Sequence, residues 1–288
     1  MTRLRHGVVL LTDEPWRETA PRWRAVEEMG FDHAWTYDHL VWGGLPDSPW
    51  YSAMPTLAAA AGVTRRIGLG TFVSSPNTQR PYPYLRDLLT LDDLSGGRFR
   101  CGVGTGGDLD ARLQGEEMTL RERVDRFHEF VPLLDRLLRE DHVDHDGDRY
   151  ALRDARTLPG PARDRIPLLV AANGPRGLRL AAAYGDGWVT YGGKGETIEG
   201  WFDHVAGLVR RFDDATARAG RGPLQRYLSL DSSPVFSLSS AGVYAEMVGR
   251  AAELGFTDVV SHWPRREGPY AGDPAVLEEV AGSLGAEV

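Results

Sequence analysis

The stretch Pro167-Leu-Leu-Val-Ala-Ala172, followed at once by Asn173-Gly-Pro-Arg-Gly-Leu-Arg-Leu-Ala-Ala-Ala-Tyr184, decides the fold. Its first half is short and continuously apolar, as a strand covered on both faces must be. Its second half changes to helical spacing, with a helix over Arg176–Tyr184 and a proline at its opening, where a missing amide costs nothing. A strand joined to a helix by a few residues is the repeating unit of a parallel sheet.

The same unit recurs in both directions. Upstream, strands over Gly7–Leu11, His33–Asp38, Ile67–Ser74 and Phe99–Gly104 lead into helices over Pro15–Met29, Ser52–Arg65, Tyr84–Leu94 and Thr119–Arg139. Downstream, strands over Trp188–Tyr191, Arg226–Asp231 and Asp258–Trp263 lead into helices over Thr197–Arg218, Ala241–Leu254 and Pro274–Leu284. Eight such units in 288 residues predict an α/β protein with a closed (β/α)8 TIM barrel, read as a single domain over 1–288. A doubly wound sheet is the alternative, but no Gly-x-Gly-x-x-Gly follows the first strand, where a dinucleotide fold needs it.

The segment 141–165 breaks the alternation and contains His142-Val-Asp-His-Asp-Gly-Asp-Arg-Tyr150. Asp146-Gly147 between short strands is a turn signal, so a hairpin-like insertion is expected. The His and Asp density also permits a metal site, but the ligand spacing is incomplete and no metal is expected.

A net charge of −8 disfavours nucleic acid as a partner, since neutralising phosphates requires a basic face. Cys101 is the single cysteine, so no intramolecular disulfide can form, in keeping with a reducing compartment. No apolar run approaches the roughly 18 residues of a membrane span. A cytoplasmic location without membrane contact is therefore expected.

In a barrel of this kind the reacting groups lie at the C-terminal strand ends. Those positions are Asp38-His39, Ser74-Ser75, Gly104-Thr105-Gly106, Asn173-Gly174, Tyr191-Gly192-Gly193-Lys194, Asp231 and His262-Trp263. They include no paired carboxylates, no His-x-His on the first strand and no evident Ser or Cys nucleophile. Small polar residues, glycine turns and aromatics suit a planar heterocycle carrying a phosphate. His39 can move a proton near neutral pH, or can simply pack in its loop. Asn173-Gly-Pro-Arg-Gly177 opens a helix whose free amides and dipole favour an anion, although an ordinary helix start has the same composition. Gly192-Gly-Lys-Gly195 is either a second anion cradle or a solvated loop.

Four motifs in order resemble the luciferase-like flavin and deazaflavin oxidoreductases. They are Gly30-Phe-Asp-His-Ala-Trp-Thr-Tyr-Asp-His-Leu40, Arg66-Ile-Gly-Leu-Gly-Thr-Phe-Val-Ser-Ser-Pro76, the run from Leu91 through Ser95-Gly-Gly-Arg to Gly106, and Pro167 to Gly185-Asp-Gly-Trp188. Asp38-His39, and Gly-Asp-Gly-Trp followed by Gly-Gly-Lys-Gly, resemble the branch that uses coenzyme F420. The resemblance implies that Asp38, Val73, Ser74, Ser75, Thr105, Gly106, Asp110, Asn173, Gly174, Arg176 and Gly177 contact the cofactor, with His39 as the proton donor or acceptor. It also implies a non-prolyl cis peptide around Phe72-Val73. The sugar-phosphate dehydrogenases of that branch carry a glutamate directly after Gly-Thr-Gly, where this chain has Gly107, and a long basic insertion that this chain lacks. Lys194 matches one of their phosphate contacts without its companions. The substrate side is therefore expected to be aromatic, from Trp42, Trp50, Tyr191 and Trp263, with Lys194 nearby.

The expected reaction is hydride transfer between the deazaflavin C5 and a small organic substrate. The alternatives are an FMN-dependent monooxygenase on the same fold, a flavin or deazaflavin carrier without turnover, and a metal hydrolase. A separate cofactor reductase and a homodimer are the partners such a family allows.

Overall fold

The computed structural model describes residues 3–161 and 163–284. Met1, Thr2, Ala162 and 285–288, which the single-domain reading and the 141–165 insertion include, lie outside the described residues. In chain order come β1 (Arg5–Val9), α1 (Trp16–Glu28), β2 (His33–Thr36), α2 (Ala53–Val63), β3 (Gly68–Thr71), α3 (Pro81–Leu94), β4 (Phe99–Val103), α4 (Leu109–Leu113) and α5 (Leu120–Leu137). An antiparallel pair, β5 (Val143–Asp146) and β6 (Ala151–Ala155), precedes β7 (Leu168–Ala171) and α6 (Pro175–Tyr184). Then follow β8 (Gly187–Thr190), α7 (Ile198–Arg218), β9 (Gln225–Ser229), α8 (Ala241–Glu253), β10 (Asp258–His262) and α9 (Pro274–Leu284).

The parallel strands close in the order β1-β10-β9-β8-β7-β4-β3-β2, a TIM barrel as expected. The boundaries differ in instructive ways. Helix α3 begins at Pro81, three residues before the expected Tyr84, because Pro81 and Pro83 sit in a first turn that needs no amide. The polar loop after β4 contains the short helix α4, which no periodicity announced. Strand β9 stops at Ser229 and turns through a 3-10 turn over Leu230–Ser232.

Side-chain alternation along the strands sorts the core into two layers. Val9, Trp35, Leu169, Val189, Tyr227 and Val260 fill the barrel. Val8, Ala34, Leu69, Val103, Val170 and Val259 point outward and pack under the helices. The interior holds Trp35 because the facing positions of β3 and β4 are glycines. A Cβ on Gly70 would lie 2.4 Å from both the Arg100 carbonyl oxygen and the Trp35 ring, and one on Gly102 would lie 2.1 Å from the Thr71 carbonyl oxygen. At the lower end, Trp35 Nε1 donates to His33 Nδ1 (2.6 Å) and His33 Nε2 donates to Asp258 (3.0 Å), which also pairs with Arg5 (2.7 Å). That closed polar plug leaves the open chemistry to the other end.

The insertion is a hairpin, with Gly147 N donating to the Tyr150 carbonyl at 3.0 Å across its turn. Its histidines pair with neighbouring carboxylates, His142 with Asp154 and, at 3.7 Å, Asp141, and His145 with Glu129. Among the described residues no group of three or more His, Cys, Asp or Glu side chains is arranged to hold a metal ion. No described helix is long and apolar enough to cross a membrane.

Candidate active site

Two cavities at the C-terminal strand ends share Val73, Gly106, Ala171 and Tyr191, and so form one cleft. The central part, about 240 Å³, lies over the barrel axis between Tyr37, His39, Trp42, Phe72, Thr190 and Ser229. The outer part, about 630 Å³, runs between β4, α5 and the start of α6.

His39 follows β2 and faces the central cavity with its side chain 26% exposed. Its Nδ1 donates to Asp110 Oδ2 at 2.7 Å, while Asp110 Oδ1 accepts from the Leu40 amide at 2.9 Å. A carboxylate on Nδ1 fixes the proton there, so Nε2 of the neutral ring is an acceptor. Asp110, expected as a cofactor contact, is buried in α4 and clamps the His39 loop from behind.

Phe72-Val73 is a cis peptide, as the resemblance implied, and Val73 forms part of the shared floor. Gly106 takes φ +78°, and a Cβ there would lie 2.6 Å from Ser75 Oγ, so no other residue keeps this wall. In the outer part, Leu120, Val124 and Phe127 provide an apolar face opposite Asn173, Gly174, Arg176 and Gly177. Gly174 is the N-cap of α6 and Pro175 its first residue. The first helical bond runs from Leu178 N to Gly174 O, which leaves the Arg176 and Gly177 amides without a partner inside the helix, the arrangement that favours an anion at a helix start. Thr190 Oγ1 donates to Asn173 Oδ1 at 2.7 Å and so orients that side chain. Arg176 pairs with Asp125 of α5 at 2.7 Å.

The cleft thus unites His39, Val73, Ser75, Thr105, Gly106, Asn173, Gly174, Arg176, Gly177, Trp42 and Tyr191. Six expected residues do not line it: Asp38, Trp50, Ser74, Asp110, Lys194 and Trp263. Asp38 and Ser74 are buried behind its wall; Asp38 accepts from Gln79 at 2.9 Å, and burial raises its carboxyl above the usual range. Lys194 is exposed on the loop before α7. Trp263 is a correction: one residue past the inward His262 it has outward parity, and it meets Arg22 of α1, whose guanidinium carbon is 5.9 Å from its ring centroid. Tyr270 takes the place expected of it, stacked on Trp42 at 5.8 Å, and Trp50 joins the same aromatic group at 6.3 Å from Trp42. Tyr37 was missed although it has the inward parity of His33 and Trp35, the signal that would have found it.

The family model described as luciferase-like monooxygenase matches residues 1–271. The chain belongs to the luciferase-like monooxygenase family. Within this family it is 31% identical over 249 residues to an F420-dependent glucose-6-phosphate dehydrogenase of Intrasporangium calvum, covering 80% of this chain and 71% of the relative. It is 28% identical over 302 residues to an uncharacterized protein of Mycobacterium tuberculosis, covering 98% of this chain and 99% of that one. Among solved structures, an F420-dependent secondary alcohol dehydrogenase in complex with an F420–acetone adduct has the same fold. Its TM-score is 0.80 at 18% identity, over 97% of this chain and 98% of that one.

Proposed function

We propose that this luciferase-like protein is a single-domain, F420-dependent oxidoreductase that moves a hydride between the deazaflavin and a small uncharged organic substrate. The observation that carries the reading is the continuity of the cleft. An apolar-floored groove ending at the open amides of α6 runs directly into an aromatic cavity that presents His39 on Asp110. The relatives named F420-dependent dehydrogenases support the choice of cofactor.

The residues present fit such a group. Gly174 lines the groove with nothing within 4 Å of an added Cβ, which leaves room for a phosphate against the Arg176 and Gly177 amides. Val73, Thr105 and Gly106 offer small surfaces to a flat ring. When bound, the deazaflavin supplies a carbon centre that accepts or donates hydride. The chain's own residues orient it, keep water off the aromatic cavity and handle the proton. His39 Nε2 would take or give a proton at the deazaflavin side of the cavity, and Asp110 holds the ring at the right angle. Among the described residues no lysine or arginine lines the central cavity, so a neutral substrate fits it better than a sugar phosphate.

Fluorescence titration of the purified protein with coenzyme F420 and, in parallel, with FMN tests the reading. Tighter binding of F420 is expected. Preference for FMN would move the chain to flavin monooxygenase chemistry, and binding of neither would overturn the cofactor assignment.

A further inference from the structure

The central cavity has a second polar wall that the role given to His39 leaves unused. Asp231, in the turn after β9, accepts from the Ser237 amide through Oδ1 (2.8 Å) and from the His262 amide (2.6 Å) and His262 Nδ1 (2.8 Å) through Oδ2. With the proton of a neutral imidazole held on Nδ1 by a carboxylate, Nε2 is left as an acceptor. Tyr37 supplies the donor: its hydroxyl lies 2.6 Å from His262 Nε2, and its oxygen accepts from the Tyr270 hydroxyl at 3.2 Å. The Tyr270 ring stacks on His262 at 3.7 Å and 11°, and the His262 and Asp231 side chains are 1% and 0% exposed. Tyr37 lines the cavity itself, its ring 5.9 Å from His39 and 5.4 Å from Trp42.

A structural histidine elsewhere in the barrel shows what a static chain looks like. The Asp258–His33 chain ends on the fully buried Trp35 indole, whose N–H is far too weak an acid to relay a proton and which lines neither cavity of the cleft. The Asp231–His262 chain ends on the hydroxyl of Tyr37, a residue that lines the aromatic cavity.

We infer that Tyr37 is a catalytic residue that takes the hydroxyl proton from a neutral alcohol while passing its own to His262, which Asp231 positions; this rests on the hydride-transfer reading above. In oxidation the carbinol C–H bond breaks, and the hydride, with both electrons, goes to the deazaflavin. The substrate O–H bond breaks as its proton joins the Tyr37 oxygen, the Tyr37 proton joins His262 Nε2, and the carbon–oxygen bond becomes C=O. The products are a ketone, a reduced deazaflavin anion and an imidazolium facing Asp231, so charge and atoms balance. Reduction of a carbonyl runs the same chain backward. Burial and the neighbouring Tyr270 and Asp231 hold the Tyr37 phenol well above its ordinary range. It therefore rests as a phenol and works by relaying a proton rather than as a standing phenolate. His39 remains available for the cofactor side of the cavity.

The test uses the full chain loaded with coenzyme F420, with propan-2-ol and cyclohexanol as probes. Tyr37→Phe is expected to slow F420 reduction at least 100-fold, the lower range of general acid–base catalysis, with KM and F420 affinity within about threefold. His262→Gln still accepts the Tyr37 bond through its amide oxygen but takes no proton; kcat is expected to fall at unchanged thermal stability. A Tyr37→Phe rate within threefold of the native one would overturn the relay. Nitrogen-15 NMR of histidine-labelled protein, without alcohol, gives an independent answer. His262 is expected to carry its proton on Nδ1, and its Nε2 resonance is expected to move in Tyr37→Phe while that of His39 stays. A proton found on His262 Nε2 would overturn the relay whether or not an alcohol reacts. Failure of the native protein to oxidise either probe, with the NMR as expected, would count against the hydride-transfer reading and its substrate class instead.

Discussion

Two neighbouring glycines at the start of α6 separate folding from binding, because an added methyl meets different surroundings at each. At Gly177 it would lie 2.9 Å from the Ala172 Cβ, where ordinary contacts are 3.4–4 Å, so the first turn of α6 must move away from β7 by several tenths of an ångström. Overpacking of this kind costs about 1–3 kcal/mol, offset by about 1 kcal/mol of helix propensity gained over glycine. At an unfolding entropy of about 2.1 cal/mol/K per residue, the remaining 0 to about 2 kcal/mol lowers the Tm of a 288-residue chain by up to about 3 °C. At Gly174 the methyl meets nothing within 4 Å and the backbone is extended at φ −79°, so the loss of N-cap preference, about 0.5–1 kcal/mol, is offset by a similar gain from stiffening the unfolded chain.

Gly174 lines the same groove as Arg176 and Gly177, so that methyl takes space a phosphate on their amides would need. Loss of one charge-assisted bond to a phosphate there is worth about 1.5–3 kcal/mol, a rise in Kd of roughly 10- to 150-fold. Gly174→Ala is therefore expected to bind coenzyme F420 at least tenfold more weakly with Tm unchanged within about 1 °C. Gly177→Ala is expected to lose both affinity and Tm. Fluorescence titration and a thermal melt on the same samples read the two effects. Native affinity in Gly174→Ala would refute the placement of the anion at the α6 terminus. A raised Tm in Gly177→Ala would show that the contact of α6 with Ala172 has slack, and the steric step of the reasoning would fail.

The barrel was legible because its strands are buried on both faces and its helices on one, so the periodicity of apolar residues changes at every boundary. Phe99–Val103 and Leu168–Ala171 stand out for that reason. The site was legible where chemistry depends on backbone shape, as at Gly106 and Gly174-Pro175, since φ +78° and an N-terminal helix turn leave marks in the residue type. It was less legible where two distant strands meet. Nothing local joins Tyr37 to His262, which lie 225 residues apart and touch only when β1 sits between β2 and β10. Trp263 shows the complementary failure. A large aromatic at a strand end reads as a site residue, yet one step of alternation places it under α1 and leaves His262 to the cavity. Asp110 escaped its role for a third reason, since the five-residue helix that carries it has no periodicity to detect.

From the alternation follows a direct check: Trp263→Phe is expected to leave F420 affinity within twofold of native, whereas Trp42→Ala, which opens the aromatic cavity, is expected to weaken substrate binding or turnover at least tenfold. Equal effects in kinetics and titration would contradict the assigned faces. A pH effect on stability comes from His6, which is 3% exposed, bonds Tyr244 through Nδ1 at 2.7 Å and is pushed down to about 4 by burial. Asp32 and Asp258 oppose this shift, and Arg3 and His33 add to it. Between about pH 6.5 and 4 the unfolded chain binds a proton at His6 that the folded chain does not. Stability from this group is therefore full above pH 6.5 and is lost as the pH falls toward 4, about 2–3 kcal/mol of it by pH 4.5. Urea unfolding at pH 7.5 and 4.5 reads it: the stability gap between native protein and His6→Gln is expected to shrink by that amount on acidification. A gap that stays constant would mean that His6 is charged, or equally hydrated, in both states, and that its burial beside Tyr244 does not govern its protonation.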